Sequence, residues 1–163
     1  MILLPKQAMS APKAKTLQER FGFLDEDLKT PAHDALMLWI DEYISEVLAE
    51  VFGLTEAPKI LAKHWEFAIM TERDFILGAA DMYVHDQAGR REIAVFIEAK
   101  PKIQSLGALI RQIRFYQAGS SFSCHTATGD YLRPQWLVIA PDDRFAAILR
   151  EQGILFHKPP STL

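Results

Sequence analysis

The order of elements legible in the chain predicts an α/β domain with a mixed central sheet flanked by helices. Three observations lead there. A long amphipathic helical pattern over 32–52 is followed by three β-prone runs, 64–71, 75–85 and 92–100, with no helix between them. The second and third runs are joined by the short polar stretch Asp86-Gln87-Ala88-Gly89, as in a hairpin. Beyond residue 100 the pattern changes to helix, strand, helix, strand, which needs crossover connections and hence parallel pairing. A hairpin-rich half joined to a crossover half makes a mixed sheet with helices on both faces.

Each element has a local cause. Thr30-Pro31 is a helix start, with Thr as N-cap and Pro at the first helical position, and Gly53 is a stop. Leu36, Ile40, Tyr43, Ile44, Val47 and Val51 recur at helical spacing and form the expected buried stripe. Pro101 ends the third strand because it cannot donate to a ladder. Ser105 can cap a helix over 106–118 whose stripe is Leu106, Leu109, Ile110, Ile113 and Tyr116, closed by Gly119. Residues 119–134 read as a polar connection that includes Cys124 and His125. Gln135–Ala140 is a buried strand between Pro134 and Pro141. Asp142 or Asp143 is placed to cap a short helix over 144–152, and 154–157 is a last strand.

The length of 163 residues suits one domain, expected over 21–158, preceded by a flexible arm over 1–20 that closes with a turn near Leu17–Phe21. No apolar run approaches the ~20 residues of a membrane span, so a cytoplasmic protein without membrane contact is expected. The single cysteine excludes an internal disulfide. A net charge of −3 argues against a generally basic nucleic-acid binder, but the charge is unevenly spread. Residues 25–56 hold nine acids and one base, whereas 87–118 hold six bases and two acids. A phosphate needs only a local patch, and Lys102, Arg111 and Arg114 lie in the basic segment.

The chemistry concentrates where the hairpin ends. Side chains alternate along a strand, so Glu98 and Lys100 share one face while Val95, Ile97 and Ala99 share the other. Asp81, on the preceding strand, can lie opposite them. Two carboxylates converging at a strand end can hold a hard divalent cation through oxygen. A lysine beside them can orient or deprotonate water and help neutralise a phosphate. Gln112 falls at the edge of its helix stripe, where it can turn toward Lys100.

Asp81 followed by Glu98-Ala99-Lys100 resembles the PD-(D/E)XK nuclease superfamily, whose mark is an acid on one strand and Glu-x-Lys on the next. Gly78-Ala79-Ala80-Asp81 is similar to the GxxD of the RecB-like branch, and Gln112-Ile113-Arg114-Phe115-Tyr116 to its QxxxY. The resemblance covers roughly Asp34 to His157. It implies a restriction-endonuclease-like αβββαβ core. It also implies Mg²⁺ or Mn²⁺ held by Asp81, Glu98 and the Ala99 carbonyl, with Lys100 and Gln112 as further catalytic groups. Members often draw another acid from the first helix, for which Glu42 and Glu46 are candidates, and Tyr116 is a candidate through QxxxY. The lone Cys124 excludes the four-cysteine iron–sulfur cluster of some members. The implied activity is hydrolysis of phosphodiester bonds in nucleic acid, DNA ahead of RNA, by a homodimer or with a partner protein. The alternative is a catalytically idle nucleic-acid-binding or assembly module on the same fold.

Overall fold

The structure, a computed structural model, describes residues 30–56 and 58–161. The expected arm over 1–20 and its turn near Leu17 lie outside these residues. Helix α1 (Pro31–Phe52) precedes β1 (Lys59–Met70), β2 (Ile76–Ala88) and β3 (Arg91–Ala99). Helix α2 (Leu106–Gly119) is followed by β4 (Cys124–His125), β5 (Tyr131–Leu132) and β6 (Gln135–Ile139), then α3 (Ala146–Glu151) and β7 (Leu155–His157). One five-stranded sheet has the order β1-β2-β3-β6-β7. Its first three strands are antiparallel, and β3, β6 and β7 run parallel. The mixed α/β sheet expected from the element order is therefore present. Among the described residues no helix is long and apolar enough to cross a membrane.

The two sheet faces carry separate cores. Ile93, Val95, Ile97 and Ala99 of β3 pack with Leu36, Met37, Ile40, Ile44, Val47 and Leu48 of α1. Ala94 and Phe96 face the other way, toward Leu109, Ile113 and Tyr116 of α2 and Leu149 of α3. The alternation along β3 decides this division. The capping signals hold as well. The Thr30 hydroxyl accepts the His33 amide at 3.1 Å, and Gly53 closes α1 in a left-handed conformation, φ 61°.

Several expectations need correction. Tyr43 is 40% exposed rather than in the stripe; it stacks on Trp39 with ring centroids 5.6 Å apart. A phenol can leave its polar end in water while Met37 and Leu48 fill the core. Strand β2 runs through the stretch read as a turn, and the hairpin reverses in two residues, Gly89 and Arg90, with Ala88 opposite Arg91. Gly89 supplies the positive φ, 59°, that so tight a turn requires. Gly119 belongs to α2 rather than ending it, and a Cβ there would lie 2.6 Å from Leu77 Cδ1, so the helix end sits directly on β2. The connection after α2 contains a small hairpin, β4–β5. Helix α3 starts at Ala146 without a side-chain cap. Asp142 instead binds the Arg144 guanidinium and Asp143 pairs with Lys158 at 3.0 Å.

Asp86 is an expense of this architecture. It is 1% exposed, lies opposite Ile60 and Ile93, and neither carboxylate oxygen has a hydrogen bond. Burial pushes its carboxyl above the ordinary range. A raised folded-state value means that the folded chain holds a proton the unfolded chain releases. The penalty is thus absent below the unfolded value and complete once pH has risen through the folded one. Asp86→Val should stabilise the protein at pH 7 by about 1–3 kcal/mol, the usual penalty of a buried unsatisfied group. The advantage should shrink toward pH 3, below the ordinary carboxyl value, where both states of the wild type are mostly protonated. Thermal unfolding of both proteins at the two pH values checks this; an advantage that ignores pH would show that Asp86 does not titrate between the states.

Candidate active site

A kink in two adjacent strands creates the site. Glu66, in the middle of β1, has φ 48°, a left-handed conformation unusual for a residue with a side chain. On its two sides the register is Trp65 with Met82 and Phe67 with Ala80. Met82 belongs to the α1-side core and Ala80 to the α2-side core, although two residues apart they would share a face of a regular strand. Both strands thus change face at the level of Glu66 and Asp81. The pairing of β2 with β3 stops at the same level, at Met82 and Ile97. On its other edge β3 keeps its partner, since the Lys100 amide donates to the Ile139 carbonyl at 2.9 Å.

The split leaves the Ala99 amide without a strand partner on the β2 side, and Asp81 takes its place. The Ala99 N–H donates to Asp81 Oδ2 at 2.7 Å. The other oxygen, Oδ1, is 3.2 Å from His33 Nε2. His33 comes from the first turn of α1, is 8% exposed, and has its backbone amide fixed by the Thr30 cap. The carboxylate of Asp81 therefore bridges the first helix and the third strand.

One residue on, Glu98 points to the α2 side. It is 1% exposed; its Oε1 is 3.1 Å from Lys100 Nζ and accepts Gln112 Nε2–H at 3.0 Å. Gln112 Nε2 also lies 3.4 Å from the hydroxyl of Tyr116, which is fully buried. The expectation that Glu98 and Lys100 share a face and that Gln112 turns toward them is met. Two buried polar sets thus meet at the end of β3: Asp81 with His33 and the Ala99 amide, and Glu98 with Lys100, Gln112 and Tyr116.

Other candidates are placed differently. Glu42 and Glu46 are exposed, and Glu42 lies nine residues beyond His33, about 13 Å along the helix at 1.5 Å per residue. The residue of the first helix that reaches Asp81 is His33. His33 could have been found in the sequence, because it lies on the buried stripe one turn before Leu36 and Met37. Lys102 and Arg111 are exposed. Arg114 is committed elsewhere: its guanidinium donates to the Gln152 carbonyl at 2.6 Å and to Gln117 Oε1 at 3.0 Å. Among the described residues, no three His, Cys, Asp or Glu side chains come together closely enough to hold a metal ion. No family model, curated protein or solved structure matches the chain.

The Glu98–Lys100 pair constrains how the site can be altered. Removing one partner of a buried ion pair strands the other charge and costs about 3–5 kcal/mol, whereas replacing both can be nearly neutral. Lys100→Ala should therefore lower stability by that amount, and Glu98→Gln with Lys100→Met should recover most of it. Denaturant unfolding of the single and double variants reads the coupling; additive losses would mean that the two charges do not depend on each other.

Proposed function

We propose that the chain is a metal-dependent phosphodiester hydrolase acting on nucleic acid, built on a restriction-endonuclease-like core. The observation that carries this reading is the buried Glu98–Lys100 pair beside a second carboxylate, Asp81, held on the intervening Ala99 amide. Burying two acids and an amine at a strand end is costly for stability alone, and sites of reaction are where such groups gather.

The donor set suits a hard cation. Mg²⁺ needs only one or two carboxylates, because it keeps several waters and takes phosphate oxygens from the substrate. Asp81 and Glu98 would hold it, with the Ala99 carbonyl, and His33 positions the Asp81 carboxylate through Oδ1. When bound, Mg²⁺ or Mn²⁺ supplies positive charge at the scissile phosphate and leaving oxygen. Lys100 presents ammonium protons next to Glu98, where they can orient the attacking water and neutralise a phosphate oxygen. Gln112 fixes Glu98 through Oε1, and Tyr116 supports Gln112 from the core. Lys102 and Arg111 offer exposed charge to the nucleic-acid backbone; Arg114 would first have to release Gln152.

The absence of a three-ligand cluster among the described residues favours the second reading, an idle nucleic-acid-binding module on the same fold. The deciding experiment offers plasmid, linear duplex, single-stranded and branched DNA, and RNA, with Mg²⁺, Mn²⁺ or chelator. Metal-dependent cleavage is expected, lost by about 100-fold or more in Asp81→Asn and in the Glu98→Gln/Lys100→Met double variant. Salt-sensitive retention of nucleic acid without cleavage would establish the idle module instead.

Metal linkage gives an independent readout. A cation that binds only the folded chain at 100 times its dissociation constant adds about 2.7 kcal/mol of stability. Mn²⁺ should raise the melting temperature of the wild type, and Asp81→Asn should lose most of that increase. Equal responses in the two proteins would remove Asp81 from the ligand set.

A further inference from the structure

A second cluster of reactive groups lies on the α2-facing side of the hairpin, four residues along β2 from Asp81. It joins Cys124, His85, Glu92 and Tyr83. Cys124 Sγ is 3.8 Å from His85 Nδ1, and His85 Nε2 is 2.9 Å from Glu92 Oε2. Glu92 is itself positioned, since its Oε1 accepts the Ala127 amide at 2.8 Å. The Tyr83 hydroxyl donates to the same sulfur at 3.3 Å, and the His125 carbonyl lies 4.0 Å from it.

The hydrogen-bond directions follow from the groups. A carboxylate can only accept, so the His85 proton sits on Nε2, facing Glu92. Nδ1 then presents a lone pair to the thiol. Nucleophile, base and orienting carboxylate thus stand in line, the arrangement that activates catalytic serines and cysteines. Cys124 and Glu92 address opposite ring nitrogens, so the three side chains cannot share one metal ion. The Tyr83 hydroxyl, which donates to the sulfur, can stabilise negative charge that develops there.

We propose that Cys124, His85, Glu92 and Tyr83 form a reactive thiol centre whose substrate is a small neutral hydroperoxide. Size selects the substrate. Cys124 is 7% exposed, and Tyr83, which contacts it, packs among the rings of Phe67, Phe96 and Phe122 at 4.9–5.3 Å between centroids. A peptide, sugar or nucleotide would have to displace these rings to reach the sulfur, whereas hydrogen peroxide is little larger than water. In the reaction His85 Nδ1 takes the thiol proton and sulfur attacks one peroxide oxygen. The S–O bond forms as the O–O bond breaks, sulfur loses two electrons, and the departing hydroxide takes the proton from His85 and leaves as water. The product is cysteine sulfenic acid, which an external thiol can reduce. The centre does not depend on the nuclease reading.

Because Cys124 is the only cysteine, a dimedone adduct reports this site alone. The folded protein is treated with hydrogen peroxide, the sulfenic acid is trapped with dimedone, and the adduct is followed with time. One adduct should form in the native wild type, faster than in urea-unfolded protein. The rate should fall about tenfold or more in His85→Gln and in Glu92→Gln, the range expected on losing a general base or its orienting group. Tyr83→Phe should slow it by a smaller factor. A thiol that is merely buried would behave in the opposite way, with unfolding and the His85 substitution both raising its reactivity. Native protein that reacts no faster than unfolded protein, or an unchanged rate in both His85→Gln and Glu92→Gln, would overturn the proposal.

Discussion

The hydrogen bond from the Ala99 amide to Asp81 is the contact on which the candidate site depends. Where β2 and β3 separate, β3 exposes a backbone donor that no strand satisfies. A buried N–H without an acceptor costs about 1–3 kcal/mol. Asp81 supplies the acceptor, and its second oxygen ties His33 and hence the first turn of α1. The same carboxylate thus closes the sheet locally and sets the distance between the helix and the end of β3. Loss of this contact would leave the end of β3 that carries Glu98 and Lys100 held by β6 alone.

The separation of the strands has a local origin as well. The left-handed backbone at Glu66 reverses the side-chain alternation of β1, and β2 follows it through cross-strand pairing. Strain at one residue of an edge strand is thereby converted into a gap one strand further in. Such strain persists only where the surroundings over-determine it. Here they do so with the buried contacts of Phe67 and Ala80 on one side of the kink and of Met82 on the other.

The two faces of the hairpin carry different chemistry because alternation separates them. Odd positions of β2, Tyr83 and His85, join the α2-facing side with Glu92 and Cys124. Even positions, Met82, Val84 and Asp86, face α1, where Asp86 is left without a hydrogen bond. His85 and Asp86 are neighbours in sequence, yet one is placed in a polar relay and the other among aliphatic side chains. Helix–sheet packing decides which of these two titratable groups has partners.

Much of this architecture was written locally. The Thr30 and Ser105 caps, Pro101, and the alternation of 93–99 depend on dihedral preferences and periodicity within a few residues, and the helices and strands they predict are present. The connection of Glu98 with Lys100 and Gln112 was legible for the same reason: two residues apart on a strand, and a boundary position on the next helix. Tertiary structure alone decided the rest. His33 reaches Asp81 across 48 positions. The kink at Glu66 has no residue signature, because glutamate disfavours the backbone it adopts. Cys124 looked like a loop residue until the β4–β5 hairpin laid it on Tyr83 and His85. Such contacts arise from packing between segments distant in the chain, and periodicity within a single segment carries no record of them.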